Sequence, residues 1–193
     1  MPGKRKTSRL KNYDYTGQGA YYITVCSDNH ARRGGSLFRA AHEPPLRYGQ
    51  NVFGYIKNGK MVMNDIGKII HGSWLWLADQ YDYVDLDEFI VMPNHVHGII
   101  LLTDKIAKGG SRVVKGGSRA APTLCKPLGQ LIGAFKTVST KRINTNRNTP
   151  GIRLWQRNFY EHVIRDESDL NRIREYIKNN PIRWGIKKGR GNR

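Results

Sequence analysis

The sequence predicts an α+β domain, an antiparallel sheet with helices on one face and a further helix at the C-terminal end. Three observations lead there. Apolar runs with strand character, such as "AYYITVCS" at 20–27, alternate with stretches whose apolar residues recur every three to four positions. Neighbouring strand runs are joined by turn residues, Asn58-Gly59 and Pro93-Asn94, rather than by long crossovers. And 193 residues suit one domain with a real core.

Taken in order, residues 1–12 ("MPGKRKTSRLKN") read as a basic arm ahead of a domain at 13–185. "AYYITVCS" is a β-branched and aromatic strand. Residues 28–51, rich in Gly, Pro and Arg, read as an irregular insertion. In "VFGYIKNGKMVMN", Asn58-Gly59 predicts a tight hairpin, because both residues tolerate positive φ. Gly54, Gly59 and Lys60 imitate a phosphate-binding loop, but Met61 stands where a Ser or Thr is needed. From Asn64 the spacing of Ile66, Ile69, Ile70, Trp74 and Leu77 predicts a helix capped by Asn64 or Asp65. "YVDLDEFIVMP" and "HVHGIILLT" predict two strands of a hairpin. Residues 104–123 repeat KGGSR and are expected to form a mobile loop. A second helix from about Pro127 carries Leu128, Leu131, Ile132, Phe135 and Val138 on one face, with Lys136, Lys141 and Arg142 on the rest. A strand within "LWQRNFYEHVI" and a helix over 166–180 follow, with Pro181 expected to end that helix. Residues 186–193 are expected to be a basic tail. Apart from the small hairpin, the order is βαββαβ, the ferredoxin-like arrangement.

The charge is unusual. Thirty-three Lys and Arg against 15 Asp and Glu give +18 and a pI near 10.2. A small neutral metabolite gives no reason for such a field. A polyanion does, nucleic acid first, with ribosome association or membrane-surface binding as other readings. No stretch is long and apolar enough to span a membrane, and the N-terminus lacks a signal-peptide core. The two cysteines, Cys26 and Cys125, form no CxxC pair, which fits a reducing, cytoplasmic setting and argues against a structural zinc site.

Chemistry points to "VMPNHVHGII" at 91–100. Strand side chains alternate, so His95 and His97 point the same way. Two such imidazoles can share a metal ion, or they can be two polar residues on the wet side of a sheet. In the last helix Tyr176 and Asn180 are four residues apart and share a face. The pair offers a nucleophile and an amide ligand, or simply a half-buried aromatic and a helix-end residue. Spacing alone leaves both pairs open.

The combination resembles the REP-associated tyrosine transposases, relatives of the single-tyrosine insertion-sequence transposases. "NYDYTGQGAYYITVCS", "LDEFIVMPNHVHGII", "GQLIGAFKTVSTKRIN", "LWQRNFYEHVIRDESDL" and "REYIKNNPIRWG" are similar to that family's blocks, in its order, over roughly 8–185. The loops at 31–51 and around the KGGSR repeat depart from it. The resemblance implies that His95 and His97 are the metal-binding histidines of its HUH motif, that Tyr176 is the nucleophile and that Asn180 is the third metal ligand. It further implies Mg²⁺- or Mn²⁺-dependent cleavage and rejoining of single-stranded DNA, often beside a hairpin, by a monomer or homodimer with no nucleotide cofactor. A bacterial, nucleoid-associated location goes with it. The donor types suit such an ion, since closed zinc sites prefer thiolates and four protein ligands.

Other residues carry weaker expectations. His162 lies before the last helix, where the family often has a histidine, and is a candidate near-site residue or a structural hydrogen-bonding one. Tyr160 is a rival nucleophile. Tyr13 and Tyr15 fit base stacking and packing equally. Lys4, Arg5, Lys6, Arg9, Arg112, Arg119 and Lys136 are candidate DNA contacts. The four tryptophans are expected in packing roles. The rival function is a non-catalytic ferredoxin-like module that binds single-stranded nucleic acid, although no RNP-type Gly/aromatic pattern is found.

The +18 charge predicts binding driven by counterion release. Affinity for single-stranded DNA should fall with salt by a log–log slope of about 0.7 per phosphate neutralised. Deleting residues 1–9 should weaken binding and flatten that slope in a fluorescence-anisotropy titration. Binding that is indifferent to salt contradicts the electrostatic reading.

Overall fold

The computed structural model describes Tyr15, residues 18–28, 51–103 and 126–189, with side chains to Trp184. Expectations for the arm at 1–12, residues 29–50 of the insertion, the KGGSR loop and residues 190–193 of the tail lie outside the described residues.

The elements are β1 (Gly19–Cys26), β2 (Gly54–Lys57), β3 (Lys60–Met63), α1 (Asp65–Gln80), β4 (Val84–Val91), β5 (His95–Leu102), α2 (Leu128–Arg147), β6 (Tyr160–Ile164), α3 (Glu167–Lys178) and α4 (Asn180–Gly189). The main sheet has the order β4-β5-β1-β6 with every neighbouring pair antiparallel, and β2-β3 form a separate hairpin. This is the split βαββαβ plan, with β5 inserted between β1 and β4. The imitation phosphate loop is a hairpin, with Asn58 at φ 51° and Gly59 at φ 71°, the double positive φ of a two-residue turn. Asn64 caps α1, its side chain accepting from the Gly67 N–H.

The sheet separates two apolar clusters. Alternate residues of β1 and β5 (Tyr21, Ile23 and Val25; Val96 and Ile100) join Trp74, Leu131 and Phe135 of α1 and α2 in the larger core. The other faces of the same strands contribute Tyr22 and Ile99, which pack with Ile164 and with Ile173 and Ile177 of α3. Helices α1 and α2 therefore share one face, and the last helices use the opposite one, where β5 presents its histidines.

Two devices fix α3 there. Burying Ile173 and Ile177 contributes about 1.5–3 kcal/mol each by transfer. In addition, β4 is irregular between Leu86 and Phe89, where two residues, Asp87 and Glu88, occupy the space opposite Ile99. Asp87 receives both Nε and Nη2 of Arg174, at 2.9 and 2.6 Å, and Glu88 meets Lys178 at 3.8 Å.

The C-terminal end corrects one expectation. Pro181 does not end the helical region. α3 closes at Asn179, and the chain re-enters a helix at Asn180, with Pro181 in the first turn where its missing N–H costs no hydrogen bond. Residues 186–189, expected in the tail, belong to α4. Ile182 of α4 lies against Gly59 at the hairpin tip.

Gly98 lies between the histidines and the buried end of β5, and a Cβ there would lie 2.4 Å from Trp74 Cζ2. Gly98→Ala is therefore expected to destabilise the fold by about 1–3 kcal/mol through overpacking. The check is a urea unfolding curve; an unchanged midpoint contradicts this packing.

Candidate active site

His95 and His97 are not on a wet surface: they are 9% and 5% exposed. Their Nε2 atoms face each other at 2.9 Å. Each Nδ1 faces oxygen. That of His95 is 2.7 Å from Asn94 Oδ1. That of His97 is 2.8 Å from the Tyr22 hydroxyl and 2.9 Å from Thr24 Oγ1, and Thr24 donates on to Tyr22 at 3.1 Å. Burial lowers the His95 pKa to about 4 and that of His97 to about 3, the latter aided by the neighbouring His95. The neutral imidazole is the metal-ligating form.

This arrangement fits a divalent cation. Oxygen partners on Nδ1 are the usual outer support of a ligating histidine, and they leave the Nε2 lone pairs to converge. Two cis ligands of an octahedral ion at about 2.1 Å lie about 3 Å apart, close to the separation of these nitrogens. Among the described residues no group of three or more His, Cys, Asp and Glu gathers. Asn180 is buried and begins α4. Trp184, one turn further on, packs its ring 5.4 Å from that of His95.

Tyr176, in the last turn of α3, places its ring edge-on to His97 at 5.5 Å and to Tyr22 at 6.1 Å. It is 37% exposed, and the Arg183 guanidinium lies 5.7 Å from its ring centre. A cleft of about 600 Å³ runs beside it, lined by Tyr22, Thr24, His97, Tyr160, His162, Arg172, Ile173 and Tyr176. Burial raises the Tyr22 pKa well above its ordinary value, so Tyr22 stays a neutral phenol.

His162 lies in this cleft with its Nε2 2.7 Å from Asp169 Oδ2. Asp169 is in the first turn of α3, and its carboxyl pKa is lowered by His162 first and by Arg172 as well. His162 thus ties β6 to the start of α3. Tyr160 lines the cleft too, 52% exposed and 6.1 Å from Tyr22 between ring centres. Helical spacing did not associate Tyr160 with the histidines; the sheet does, because Thr24 pairs with Tyr160 on one side and with His97 on the other.

Several candidates lie elsewhere. Tyr15 packs against Tyr21 at 6.0 Å on the core side of the sheet, so packing accounts for it. The Lys136 ammonium does not decorate a free helix face. It donates to the carbonyls of Gln156, Arg157 and Asn158 at 2.9, 3.3 and 3.0 Å, and burial lowers its pKa to about 8. Lys4, Arg5, Lys6, Arg9, Tyr13, Arg112 and Arg119 lie outside the described residues.

Sequence reasoning missed Tyr22, Thr24 and Asn94, while Trp184, expected to pack, does so against the His95 ring. The first two were visible only as alternate residues of a strand; their approach to His97 needs the β1–β5 register, which pairs Thr24 with His97.

No known family profile matches the chain. A Haemophilus influenzae protein of uncharacterised function is 33% identical over 183 residues, covering 93% of this chain and 89% of its own length. Among solved structures, a REP-associated tyrosine transposase bound to a REP hairpin matches 92% of this chain and 75% of its own, with a TM-score of 0.53 and 16% identity. The fold expected from the sequence resemblance is therefore the fold the chain has.

Burial of the two imidazoles predicts an acid-sensitive fold. Both start from an ordinary value of 6.5 and are lowered to about 4 and about 3, so as pH falls protons bind the unfolded chain first. Stability present above pH 6.5 should decline as pH falls below about 6.5 and go on declining to about 3, the part above about 4.5 preceding carboxylate protonation. Urea midpoints measured without divalent ions should show the decline, and a His95→Gln/His97→Gln variant should lose most of it. A flat wild-type profile contradicts the burial.

Proposed function

The chain belongs to one family with the Haemophilus influenzae protein, and we propose that it is a metal-dependent endonuclease and strand transferase acting on single-stranded DNA. One observation carries this reading: two buried, neutral imidazoles converge 2.9 Å apart, with a tyrosine ring against one of them at the mouth of a cleft. The fold shared with a REP-associated tyrosine transposase supports it, as does the basic composition.

In this reading His95, His97 and Asn180 hold Mg²⁺ or Mn²⁺. When bound, the ion supplies Lewis-acid stabilisation of charge developing on the phosphoryl oxygens. Asn94 fixes the His95 ring, and Tyr22 with Thr24 fixes that of His97, so neither has to reorient as charge develops. Tyr176 lies beside the pair and reaches solvent. Its hydroxyl oxygen attacks phosphorus and loses its proton to water. The bond from phosphorus to the 3′ oxygen breaks and that oxygen takes up a proton from water, leaving a free 3′-OH and a 5′-phosphate joined to Tyr176. The covalent link retains the energy of the broken diester, so rejoining needs no nucleotide. Arg183 and Arg172 border the cleft with positive charge suited to the DNA backbone.

The test is cleavage of labelled single-stranded DNA that carries a hairpin, run on a denaturing gel with Mg²⁺ or Mn²⁺. Wild type should give a detergent-resistant protein–DNA band. His95→Ala and His97→Ala should abolish it with most DNA affinity retained, because affinity comes from the basic surface. Asn180→Ala should reduce it less, since water can replace a neutral amide ligand. A band that survives EDTA contradicts the metal assignment. Absence of any band with wild type favours a non-catalytic binding module.

A further inference from the structure

A phenol is almost wholly protonated at neutral pH, so it becomes a good nucleophile only as its proton leaves. The cleft beside Tyr176 contains one side chain able to receive that proton. Tyr22 and Thr24 are hydroxyls committed to His97 Nδ1, at 2.8 and 2.9 Å. His97 itself has no lone pair to spare, because Nδ1 faces those hydroxyls and Nε2 faces His95. Tyr160 is a second phenol, and the Arg172 guanidinium accepts nothing. His162 remains.

Its setting is that of a base oriented by a carboxylate. His162 Nε2 lies 2.7 Å from Asp169 Oδ2. An ionised carboxylate only accepts, so Nε2 carries the hydrogen and the lone pair of the neutral ring is on Nδ1. Nδ1 has no hydrogen-bond partner among the described residues, and the side chain is 39% exposed, so water reaches it. Asp169 and Tyr176 are seven residues apart on α3, which puts them on one face, two turns and about 10 Å from each other. His162 meets that face from β6, at the position paired with Tyr22, whose ring is edge-on to that of Tyr176. No direct hydrogen bond joins His162 to Tyr176 among the described residues, so a proton passing between them travels through water in the cleft.

We propose that His162, oriented by Asp169, receives through a cleft water the proton that leaves Tyr176 during cleavage, and returns it when the strand is rejoined. The inference rests on the preceding reading of the cleft and adds the group that moves its proton. As the Tyr176 oxygen bonds to phosphorus, its proton passes to the water and a proton of that water passes to Nδ1. The resulting imidazolium is stabilised by the Asp169 carboxylate. The departing 3′ oxygen takes its proton from solvent on the far side of the phosphorus. In rejoining, the 3′-OH attacks phosphorus and gives its proton to solvent, while His162 reprotonates the leaving Tyr176 oxygen through the same water.

The experiment follows single-turnover cleavage of labelled single-stranded DNA with Mg²⁺ at saturating protein, across about pH 5 to 8, where histidines titrate. The other imidazole of the cleft, His97, is lowered to about 3, and the Asp169 carboxyl is lowered as well, so neither changes charge in that window. The phenols of Tyr22, Tyr160 and Tyr176 and the Arg172 guanidinium belong to classes that titrate above it. His162→Gln keeps an N–H for Asp169 but has no basic nitrogen. It should cleave about a hundredfold more slowly, with DNA affinity within about twofold and the thermal midpoint of wild type. The wild-type rate should rise with pH through the window, and that of the variant should be flat. In His162→Gly protein, added imidazole should restore cleavage in proportion to its concentration, which a histidine that only ties β6 to α3 would not allow. A wild-type rate in His162→Gln overturns the proposal and leaves the reading of the cleft standing. So does slow cleavage that keeps the wild-type pH profile and gains nothing from imidazole. A wild type that forms no covalent adduct ends the reading of the cleft and the proposal with it.

Discussion

The whole arrangement depends on two imidazoles being held nitrogen to nitrogen on a buried sheet face. Placing them there is costly unless each ring has a polar partner on its far side, and Asn94, Tyr22 and Thr24 supply those partners. It also requires a cover, because the sheet face beyond the histidines is apolar at Ile99. The last helices provide it, Tyr176 of α3 against His97 and Trp184 of α4 against His95. The break at Asn179 lets consecutive helices approach the two rings separately.

The cover is anchored from both ends. At the start of α3, Asp169 takes His162 from β6. Further along, Arg174 and Lys178 reach two consecutive acidic residues of β4. In a regular strand Asp87 and Glu88 would point to opposite faces; the irregularity in β4 lets both meet one helix. The Asp87–Arg174 contact is bidentate and partly buried, and Arg174 holds the Asp87 carboxyl below its ordinary pKa. Tyr176, in the last turn of α3, is thereby held against the sheet that carries the histidines.

Much of this was legible in the sequence because local rules govern it. The Asn58-Gly59 hairpin, the Asn64 cap and the alternation that places His95 and His97 together follow from neighbours a few residues apart. The βαββαβ order was likewise readable from the change of apolar period along the chain. What was hidden depends on long-range register and on competing terminators. Thr24 meets His97 only because β1 pairs with β5 in one register. Pro181 is a stop by local rules, yet the same residue is well placed in the first turn of a new helix, whose Trp184 packs against His95. Lys136 looked like surface charge because its carbonyl partners lie 20 or more residues away.

The central claim is that the tyrosine beside this histidine pair is the atom donor to phosphorus. The most direct measurement is mass spectrometry of the tryptic peptide recovered from DNA-reacted protein. The account predicts a nucleotide attached through its 5′-phosphate to Tyr176, and none in Tyr176→Phe protein that still binds DNA. A nucleotide on Tyr160, or an undiminished adduct in the Tyr176→Phe protein, would contradict it.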